Sequence, residues 1–413
     1  MATKGQLLPI KQLIKAGGLP GYLLLFHPIL IFTVKRRREL DDYAAVDTSA
    51  LLQIVFALIV FALVLHTFFT KGVQKFSFVK LNPNRFLLLY GVVCFLSLFW
   101  TPNVNITLYR AFEMLVYLLL ISWTVYNLFM RLDTQNMVEW LVFWAVWAIV
   151  WSVATNIKVA GLNFLQNPFD AARLDYPMVI FFALLISKRK VFKVLILALA
   201  FFSFSNKIYL GFALGLAGFL FGNAKYKGLI FMGMIVLLGV LSFIDFEELL
   251  KQTVFIGRRE VSLEDSSGRY YVWQVSWKAF LESPWIGHGF VAGENAVLFS
   301  KFKGAINSHN FLFSGVLGTG ILGTLFLLGY FWTVFKMGLK SIWPKDKWKP
   351  AIMGTLIMSL VVSFTSPGIG SRVFGSWIGV VLVLTLIAAL FYKFKLEKRQ
   401  QSNLQNENNM GHP

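Results

Sequence analysis

A histidine lies directly before a long apolar run, in the sequence Ser308-His309-Asn310. A neutral imidazole at a membrane boundary can accept a proton from a hydroxyl nucleophile near neutral pH, so His309 is a candidate general base. The alternative is structural, because a histidine at the start of a helix can also satisfy free backbone groups. Asn310 has two open roles as well: its amide could orient the imidazole or cap the following helix.

A second candidate is an arginine earlier in the same polar segment. Arg269 follows Gly268 and falls in the first turn of a predicted helix. Backbone N–H groups at a helix start and a neighbouring guanidinium can bind a phosphate together, and arginine can do so with two parallel hydrogen bonds. Arg269 could instead be solvated and paired with Glu264 or Asp265. Its position alone leaves both possibilities open.

Further cations lie near predicted membrane boundaries. Arg173 and Lys207 are the stronger pair, and Arg110 and Arg372 are weaker members of the set. Charged side chains at such depth are costly unless they face a cavity or a partner, which makes them candidates for a binding site. Arg173 could also pair with neighbouring aspartates, and Lys207 could extend to lipid headgroups. Cations gathered on one face, without a metal, would suit a lipid diphosphate.

The segment that carries His309 contains one rival base. His288 lies between Gly287 and Gly289, a pattern typical of a tight turn. The chain has a single cysteine, Cys94, and it has no Cys cluster, HExxH or Asp-rich motif. The sequence therefore favours a reaction that uses neither a metal nor another cofactor.

The composition is that of a membrane protein. Of 413 residues, 57% are hydrophobic and 16% are aromatic, which is too apolar for a soluble domain of this length. We predict an all-α polytopic membrane protein with about twelve transmembrane helices. The predicted spans lie near residues 20–35, 50–69, 86–100, 111–130, 136–157, 176–187, 191–206, 208–222, 228–244, 311–335, 351–366 and 373–392.

Charge determines the predicted topology. Most of the formal charge of +19 lies in short loops, where the positive-inside rule predicts the cytoplasm and anionic lipid headgroups are sufficient partners. No nucleic-acid motif accompanies these loops, so nucleic-acid binding is not expected. Residues 245–310 have seven Lys and Arg against eight Asp and Glu, which favours a large extracytoplasmic loop between the ninth and tenth spans. The basic block Lys35–Arg38 disagrees with this topology and leaves a re-entrant first segment as an alternative.

Four regions follow from this topology. They are N-terminal transmembrane helices at 1–244, the loop at 245–310, C-terminal transmembrane helices at 311–393 and a disordered cytoplasmic tail at 394–413. Within the loop, apolar residues recur at helical spacing after the possible N-caps Ser266 and Ser267 and before Pro284. These residues are Trp273, Trp277, Phe280 and Leu281. The spacing predicts an amphipathic helix against the membrane surface.

Two stretches combine these features in order: "SGRYYVWQVSWKAFLESPWIGHGF" and then "SHNFLFSGVLGTGILGTLFLL". They contain Gly268-Arg269, Trp273, the turn Ser283–Gly289, His309-Asn310 and the Gly-x-x-Gly of Gly320 and Gly323. This series resembles the O-antigen ligase and polysaccharide polymerase family of bacterial envelope glycosyltransferases. Upstream, "FWTPNVNITLYRAFEMLVYLLL" and "FSFSNKIYLGFALGLAGFL" resemble two other family segments, with Lys207 where an arginine is usual. The resemblance covers most of residues 86–335.

The resemblance implies a site on the outer side of the bacterial inner membrane that moves a glycan from undecaprenyl diphosphate to an acceptor hydroxyl without a metal. It implies that Arg269 and Lys207 hold the diphosphate and that His309 deprotonates or orients the acceptor. Arg173 is added to the diphosphate site on its charge and position alone. Supporting roles are expected for Gly268, Trp273, His288 and Asn310.

Several functions remain open from the sequence. A polymerase would join repeat units, and a ligase would move a finished glycan to lipid A-core; we favour the polymerase slightly. A transporter or flippase of lipid-linked glycans would also have many spans and cationic cavities, but the paired, broken repeats of transporters are not evident. A membrane scaffold would leave the ordered Arg-Trp-Gly-His series unexplained.

Overall fold

The computed structural model describes residues 7–33, 48–77, 83–160, 179–202 without 181, 216, 269–301, 308, 310–344, 347–365, 369 and 376–410. Helix accounts for 87% of the structure, and the described residues contain no β-strand. The all-α prediction is confirmed.

The described part of the chain contains eleven α-helices. They are α1 (Ile10–Thr33), α2 (Thr48–Lys71), α3 (Asn84–Leu96), α4 (Val104–Arg131), α5 (Thr134–Ala160), α6 (Lys190–Phe202), α7 (Arg269–Glu282), α8 (Ala292–Lys301), α9 (Phe311–Leu339), α10 (Trp348–Thr365) and α11 (Ser376–Met410). Short 3-10 segments follow α2 and α3 at Val73–Phe76 and Ser97–Phe99, and a π-helical turn spans Phe182–Ile186.

Five helices in the described residues are long and apolar enough to cross a membrane. The stretches are Ile10–Leu30, Leu51–Thr70, Val104–Arg131, Phe311–Leu339 and Trp377–Asn403. Helices α3 and α10 are apolar but shorter. A multi-pass helical membrane protein is therefore supported, as the composition predicted. The predicted span near 228–244 and the basic block Lys35–Arg38 lie outside the described residues, and so does the span near 208–222 except for Leu216.

Helix α4 lies at the centre of the packing. It contacts α1, α2, α3 and α11, and its residues Tyr117, Leu120 and Ile121 are fully buried. Asn103 caps its N-terminus, with the side-chain oxygen accepting a hydrogen bond from the Ile106 backbone N–H at 3.1 Å. The loop before α4 is thereby held in place, and that loop contacts the candidate site.

Helix α9 connects the core to the loop helices. It packs closely along α3, where a Cβ added to Gly329 would lie 2.9 Å from the Phe86 ring. Its N-terminal half also contacts α7 and α8. A glycine at this crossing lets the two helix backbones approach closely. The loop helices therefore rest on a helix that is itself buried against the core.

The C-terminal segment differs from the prediction. Residues 394–413 were expected to be disordered, but α11 continues to Met410. Phe394 explains the start of this extension, because its ring packs against Trp343 and Trp348 at centroid distances of 5.5 and 5.0 Å. Lys393 also donates from Nζ to the Phe129 carbonyl oxygen at 2.8 Å. Once this turn is anchored, each further helical residue adds a hydrogen bond without a new nucleation cost.

Candidate functional site

The loop helix predicted from the apolar spacing is present as α7. It begins at Arg269 and ends at Glu282, two residues before Pro284. On the face predicted to lie against the membrane surface, Trp277 and Leu281 are 54% and 58% exposed. The residues packed inside are Val272, Ser276 and Ala279. These small side chains allow α7 to approach α8 and α9 closely, and the bulky apolar residues point outward instead.

The first turn of α7 is tied to the start of α9. Trp273 lies one helical turn after Arg269, and its indole Nε1 donates to the carbonyl oxygen of Ser308 at 2.9 Å. The same indole stacks on Phe313, with the ring centroids 6.0 Å apart. The helix that begins at Arg269 is therefore fixed to the residue before His309. His309 itself lies outside the described residues, as do Gly268 and the possible N-caps Ser266 and Ser267.

Asn310 caps helix α9. Its side-chain oxygen accepts hydrogen bonds from the backbone N–H groups of Leu312 and Phe313 at 2.9 and 3.4 Å. Its own backbone is extended, with φ −150° and ψ 125°, as an N-cap requires. Of the two roles open from the sequence, the structure supports the cap. Ser308 and Asn310 are both buried, so the positions on either side of His309 are fixed by packing and hydrogen bonds.

A buried carboxylate anchors the same corner. Glu294, in the first turn of α8, is 3% exposed. Its Oε1 accepts from the Ser308 N–H at 2.8 Å, from Ser308 Oγ at 2.7 Å and from Ser314 Oγ at 2.9 Å. The sequence analysis missed this residue, because an acidic residue in a first helical turn is ordinary and nothing local indicates its distant partners. Glu294 fixes α8 to the segment that contains His309.

The environment of Glu294 makes its ionisation sensitive to pH. Burial raises the pKa of this carboxyl, and the hydrogen bonds from Ser308 and Ser314 oppose the rise only in part. A raised folded-state pKa means that the ionised form destabilises the fold above that pKa. This cost decreases as the pH falls from the folded-state pKa to the lower unfolded-state pKa, because in this range the folded state has taken up its proton and the unfolded state has not.

We expect Glu294→Gln to have a higher thermal denaturation midpoint than the wild type at about pH 8, and the two midpoints to converge toward about pH 4.5. The amide cannot ionise, yet it keeps an oxygen that can accept the three hydrogen bonds. Glu294→Ala is the matched control: it leaves three donors without their acceptor and should lose about 1–3 kcal/mol. Denaturation in detergent, followed across this pH range, tests both variants. A difference between the denaturation midpoints of Glu294→Gln and the wild type that does not change with pH would contradict the raised pKa of Glu294.

The turn after α7 docks into a break in α9. At Gly320 the backbone leaves helical geometry, with φ 65° and ψ −166°. The carbonyl oxygens of Leu317 and Gly318 therefore accept from the N–H groups of His288 and Gly289, at 2.7 and 3.1 Å. In return, the N–H groups of Ile321 and Leu322 donate to the carbonyl oxygens of Pro284 and Trp285, at 2.8 and 3.3 Å. Four backbone groups left free by the kink are thus satisfied by the turn.

Two glycines make this docking possible. Gly320 has φ 65°, and a Cβ there would lie 2.3 Å from the Trp285 carbonyl carbon. Gly287 has φ 70°, and a Cβ there would lie 2.7 Å from the Leu317 oxygen. Other residues rarely adopt such φ angles, and the contact leaves no room for a side chain. The turn Ser283–Gly289 and the Gly-x-x-Gly, separate motifs in the sequence, are therefore two halves of one backbone contact.

The loop between α3 and α4 covers the other side of the turn. Trp100 donates from its indole Nε1 to the Ile286 carbonyl oxygen at 3.2 Å. Thr107 Oγ1 donates to the Phe290 carbonyl oxygen at 2.9 Å, and the Phe290 N–H donates to Ser97 Oγ at 3.0 Å. The segment beginning "FWTPNVNITLYR" thus contacts the turn directly, although about 190 residues separate them in the chain.

His288 lies on a cavity of about 540 Å³, which is lined by the loop before α4, the turn and α8. Its ring Nε2 is 2.8 Å from the Ala279 carbonyl oxygen. A carbonyl can only accept, so Nε2 carries the proton, and in the neutral ring Nδ1 is the remaining acceptor. The cavity lies against the face of α8 that carries Ala296 and Ser300, whereas Glu294 lies on another face. His288 and the cluster of Ser308 and Glu294 therefore adjoin different faces of α8.

Comparison with known proteins is informative for this part of the chain. A family model described as O-antigen ligase matches residues 191–328. This match supports the resemblance to the O-antigen ligase family. The matched segment contains α7, α8, the turn and the first part of α9, so it includes the motifs from Gly268 to Gly323 but not the upstream segment that begins at Phe99. No curated protein matches the chain. Together with the apolar helices, the family supports a membrane enzyme of glycan transfer.

The cations predicted for the site are only partly described. Arg173 and Lys207 lie outside the described residues, as does Arg372, and the structure describes Arg269 only as the first residue of α7. Arg110 is in α4, where NH1 forms an ion pair with Glu113 at 2.7 Å. Glu113 also accepts from the Tyr109 hydroxyl at 2.7 Å. Its buried carboxylate partner makes Arg110 a weaker choice for a phosphate than the sequence suggested.

Proposed function

We propose that the protein transfers a glycan from undecaprenyl diphosphate to a hydroxyl of an acceptor sugar without a metal, most simply as a polymerase of O-antigen or exopolysaccharide. The family match supports glycan transfer in general. The observation that carries the specific proposal is the hydrogen bond from Trp273 to the Ser308 carbonyl oxygen. It joins the helix that begins at Arg269 to the segment that contains His309, and these are the two residues with the required chemistry.

The proposed reaction needs a base and a site for negative charge. His309 accepts the proton of the acceptor hydroxyl while that oxygen forms a bond to the anomeric carbon of the donor sugar. The bond between the anomeric carbon and the diphosphate oxygen breaks, and undecaprenyl diphosphate leaves with the electron pair. Arg269, with Lys207 and Arg173, binds this leaving group and neutralises the charge that develops on it. Diphosphate is already a good leaving group, so positioning and charge stabilisation are the main contributions asked of the protein.

The proposed topology follows from this chemistry and from charge. We propose twelve transmembrane spans in the bacterial inner membrane, with both termini in the cytoplasm and residues 245–310 on the outer side. The donor is then anchored in the bilayer by its lipid, and the acceptor sugar approaches from water. A position for His309 at the mouth of α9 suits this meeting of a lipid-linked and a water-exposed substrate.

The length of glycans in cells lacking this protein tests the function. Cells are complemented with wild type or with His309→Ala, and their glycans are separated on a gel. A polymerase predicts that wild type restores a ladder of repeat lengths. If cells without active protein accumulate chains of normal length on the carrier and fail only to attach them to lipid A-core, the protein is a ligase instead. If cells without active protein trap carrier-linked units on the cytoplasmic side of the membrane, the protein is a transporter or flippase.

Arg269→Lys is expected to lower kcat/KM by about tenfold or more, because lysine keeps the charge but cannot bind two phosphate oxygens in parallel. Lys207→Arg is the matched control, since it introduces the residue that is usual in the family and should retain or raise activity. Initial rates with a purified lipid-linked donor measure both variants. Wild-type rates for Arg269→Lys would favour the solvated arginine over a phosphate ligand.

A further inference from the structure

The cavity beside His288 has the volume of a small-molecule site and is open to its surroundings. Its volume of about 540 Å³ lies within the range of about 300–1,000 Å³ that is usual for ligand pockets. Its lining combines one aromatic ring, apolar side chains and a few polar groups. These lining residues include Trp100, Ser283, Ile286, His288, Ala296 and Ser300.

The donors of the polar lining groups are already used within the protein. Trp100 Nε1 donates to the Ile286 oxygen, and His288 Nε2 donates to the Ala279 oxygen. Ser283 Oγ donates to the Gly287 oxygen at 2.9 Å, and Ser300 Oγ donates to the Val297 oxygen at 3.0 Å. The remaining hydrogen-bonding positions on these groups are acceptors. They are the lone pairs of the two serine hydroxyls and the Nδ1 of a neutral His288.

A lining of acceptors discriminates between possible ligands. The diphosphate of a lipid-linked glycan is esterified at both ends, so its oxygens can only accept hydrogen bonds, and this lining would offer it mainly acceptors. A sugar ring carries several hydroxyl donors on its rim and an apolar C–H face. That face can stack on an indole ring, whose π-surface is negative, and the indole of Trp100 is held in place by its hydrogen bond to Ile286. A hydroxyl-rich, uncharged ring fits this lining best.

We propose that this cavity is a subsite for one sugar ring of the reacting glycan, stacked on Trp100 and hydrogen-bonded to Nδ1 of His288. The proposal rests on the glycan transfer proposed above. Its connection to that chemistry is α8, which carries Ala296 and Ser300 on the cavity and Glu294 on the segment containing His309. In this arrangement His288 is a positioning residue for the glycan, and proton transfer belongs to His309.

Filling the cavity tests the proposal. Ala296 and Phe299 are both exposed on α8, but only Ala296 lines the cavity. Ala296→Trp would occupy the cavity, and Phe299→Trp is the matched control. The probe is the repeat-unit oligosaccharide released by mild acid from the polysaccharide of the source cells. Its binding to the full chain in lipid nanodiscs is measured by saturation-transfer NMR and calorimetry.

We expect Ala296→Trp to weaken oligosaccharide binding at least tenfold and Phe299→Trp to leave it unchanged. Trp100→Phe, which keeps a smaller ring and fills nothing, should weaken binding by a few-fold and covers the case in which Ala296→Trp fails to fold. Equal affinities for Ala296→Trp and wild type would overturn the subsite. The subsite would also be overturned if Ala296→Trp lost binding of a short-chain polyprenyl phosphate but kept oligosaccharide binding. The cavity would then hold the lipid chain.

Transfer assays separate this proposal from the proposed function. If wild type transfers glycan and Ala296→Trp does so with an unchanged KM for both substrates, the subsite is wrong and the function stands. If wild type binds the oligosaccharide through this cavity but transfers nothing, the subsite stands and the function is wrong. A raised KM for the acceptor alone assigns the ring to the acceptor, and a raised KM for the donor alone assigns it to the donor glycan.

Discussion

Replacing His309 with alanine is expected to reduce glycan transfer by about a hundredfold to ten-thousandfold, with expression and thermal stability unchanged. This range is what a positioned general base usually contributes. The side chain supplies the proton acceptor for the nucleophile. Its neighbours Ser308 and Asn310 are held by Glu294 and by the helix cap without its help, so the fold should tolerate the change. Initial rates and denaturation midpoints on the same preparation provide the measurement.

His288→Ala is the control for this prediction. His288 lies on the cavity, and its ring binds the Ala279 carbonyl oxygen, so its loss should raise the KM for a glycan and lower kcat only mildly. Full transfer by His309→Ala would remove the base assignment and raise the transporter hypothesis. A loss in His288→Ala as large as that expected for His309→Ala would transfer the role of base to His288.

Gly320→Ala is expected to disrupt the site and to lower the denaturation midpoint by several degrees. A Cβ at this position would lie 2.3 Å from the Trp285 carbonyl carbon, and the backbone atoms it meets cannot move aside easily. The left-handed φ of 65° adds a cost of order 1–3 kcal/mol for a residue other than glycine. Because the turn and α9 exchange four hydrogen bonds there, their separation would leave four backbone donors and four acceptors unpaired. Glycan transfer should be lost together with stability.

Gly72→Ala separates the two causes. Gly72 also has a positive φ, 78°, but a Cβ there meets nothing within 4 Å. This variant therefore carries the backbone cost without the clash, and we expect a small loss of stability with transfer retained. Equal destabilisation by both variants would mean that the close contact with Trp285 contributes little. A stable, active Gly320→Ala would contradict the docking of the turn into the kink.

Local patterns were sufficient for the class of the protein and for one of its loop helices. The long apolar runs predicted an all-α membrane protein, because a bilayer demands about twenty consecutive apolar residues in a helix. The spacing after Gly268 and the stop at Pro284 predicted α7, because both are properties of neighbouring residues. The order of Arg269, Trp273, Ser283–Gly289 and His309 predicted the O-antigen ligase family, which the family match over residues 191–328 supports.

Sequence patterns were less reliable where packing competes with periodicity. Periodicity did not show that α7 packs on the protein through Ser276 and Ala279 while Trp277 and Leu281 stay exposed. The polar tail continues as helix because Phe394 is anchored by two tryptophans that lie far earlier in the chain. In both places the favourable contact is made with a distant segment, and no local rule weighs it.

The sequence by itself determined the kinds of residue available for chemistry: an imidazole and an arginine in one polar segment, and glycines at fixed spacing. Only the tertiary structure decided how they are used. It made Asn310 a helix cap, brought Glu294 to Ser308, joined the turn Ser283–Gly289 to the kink at Gly320 and set Trp100 beside His288. The physical reason is that hydrogen bonds between segments as far apart as Trp100 and Ile286 depend on how helices pack, whereas residue periodicity reports only which face of each helix is apolar.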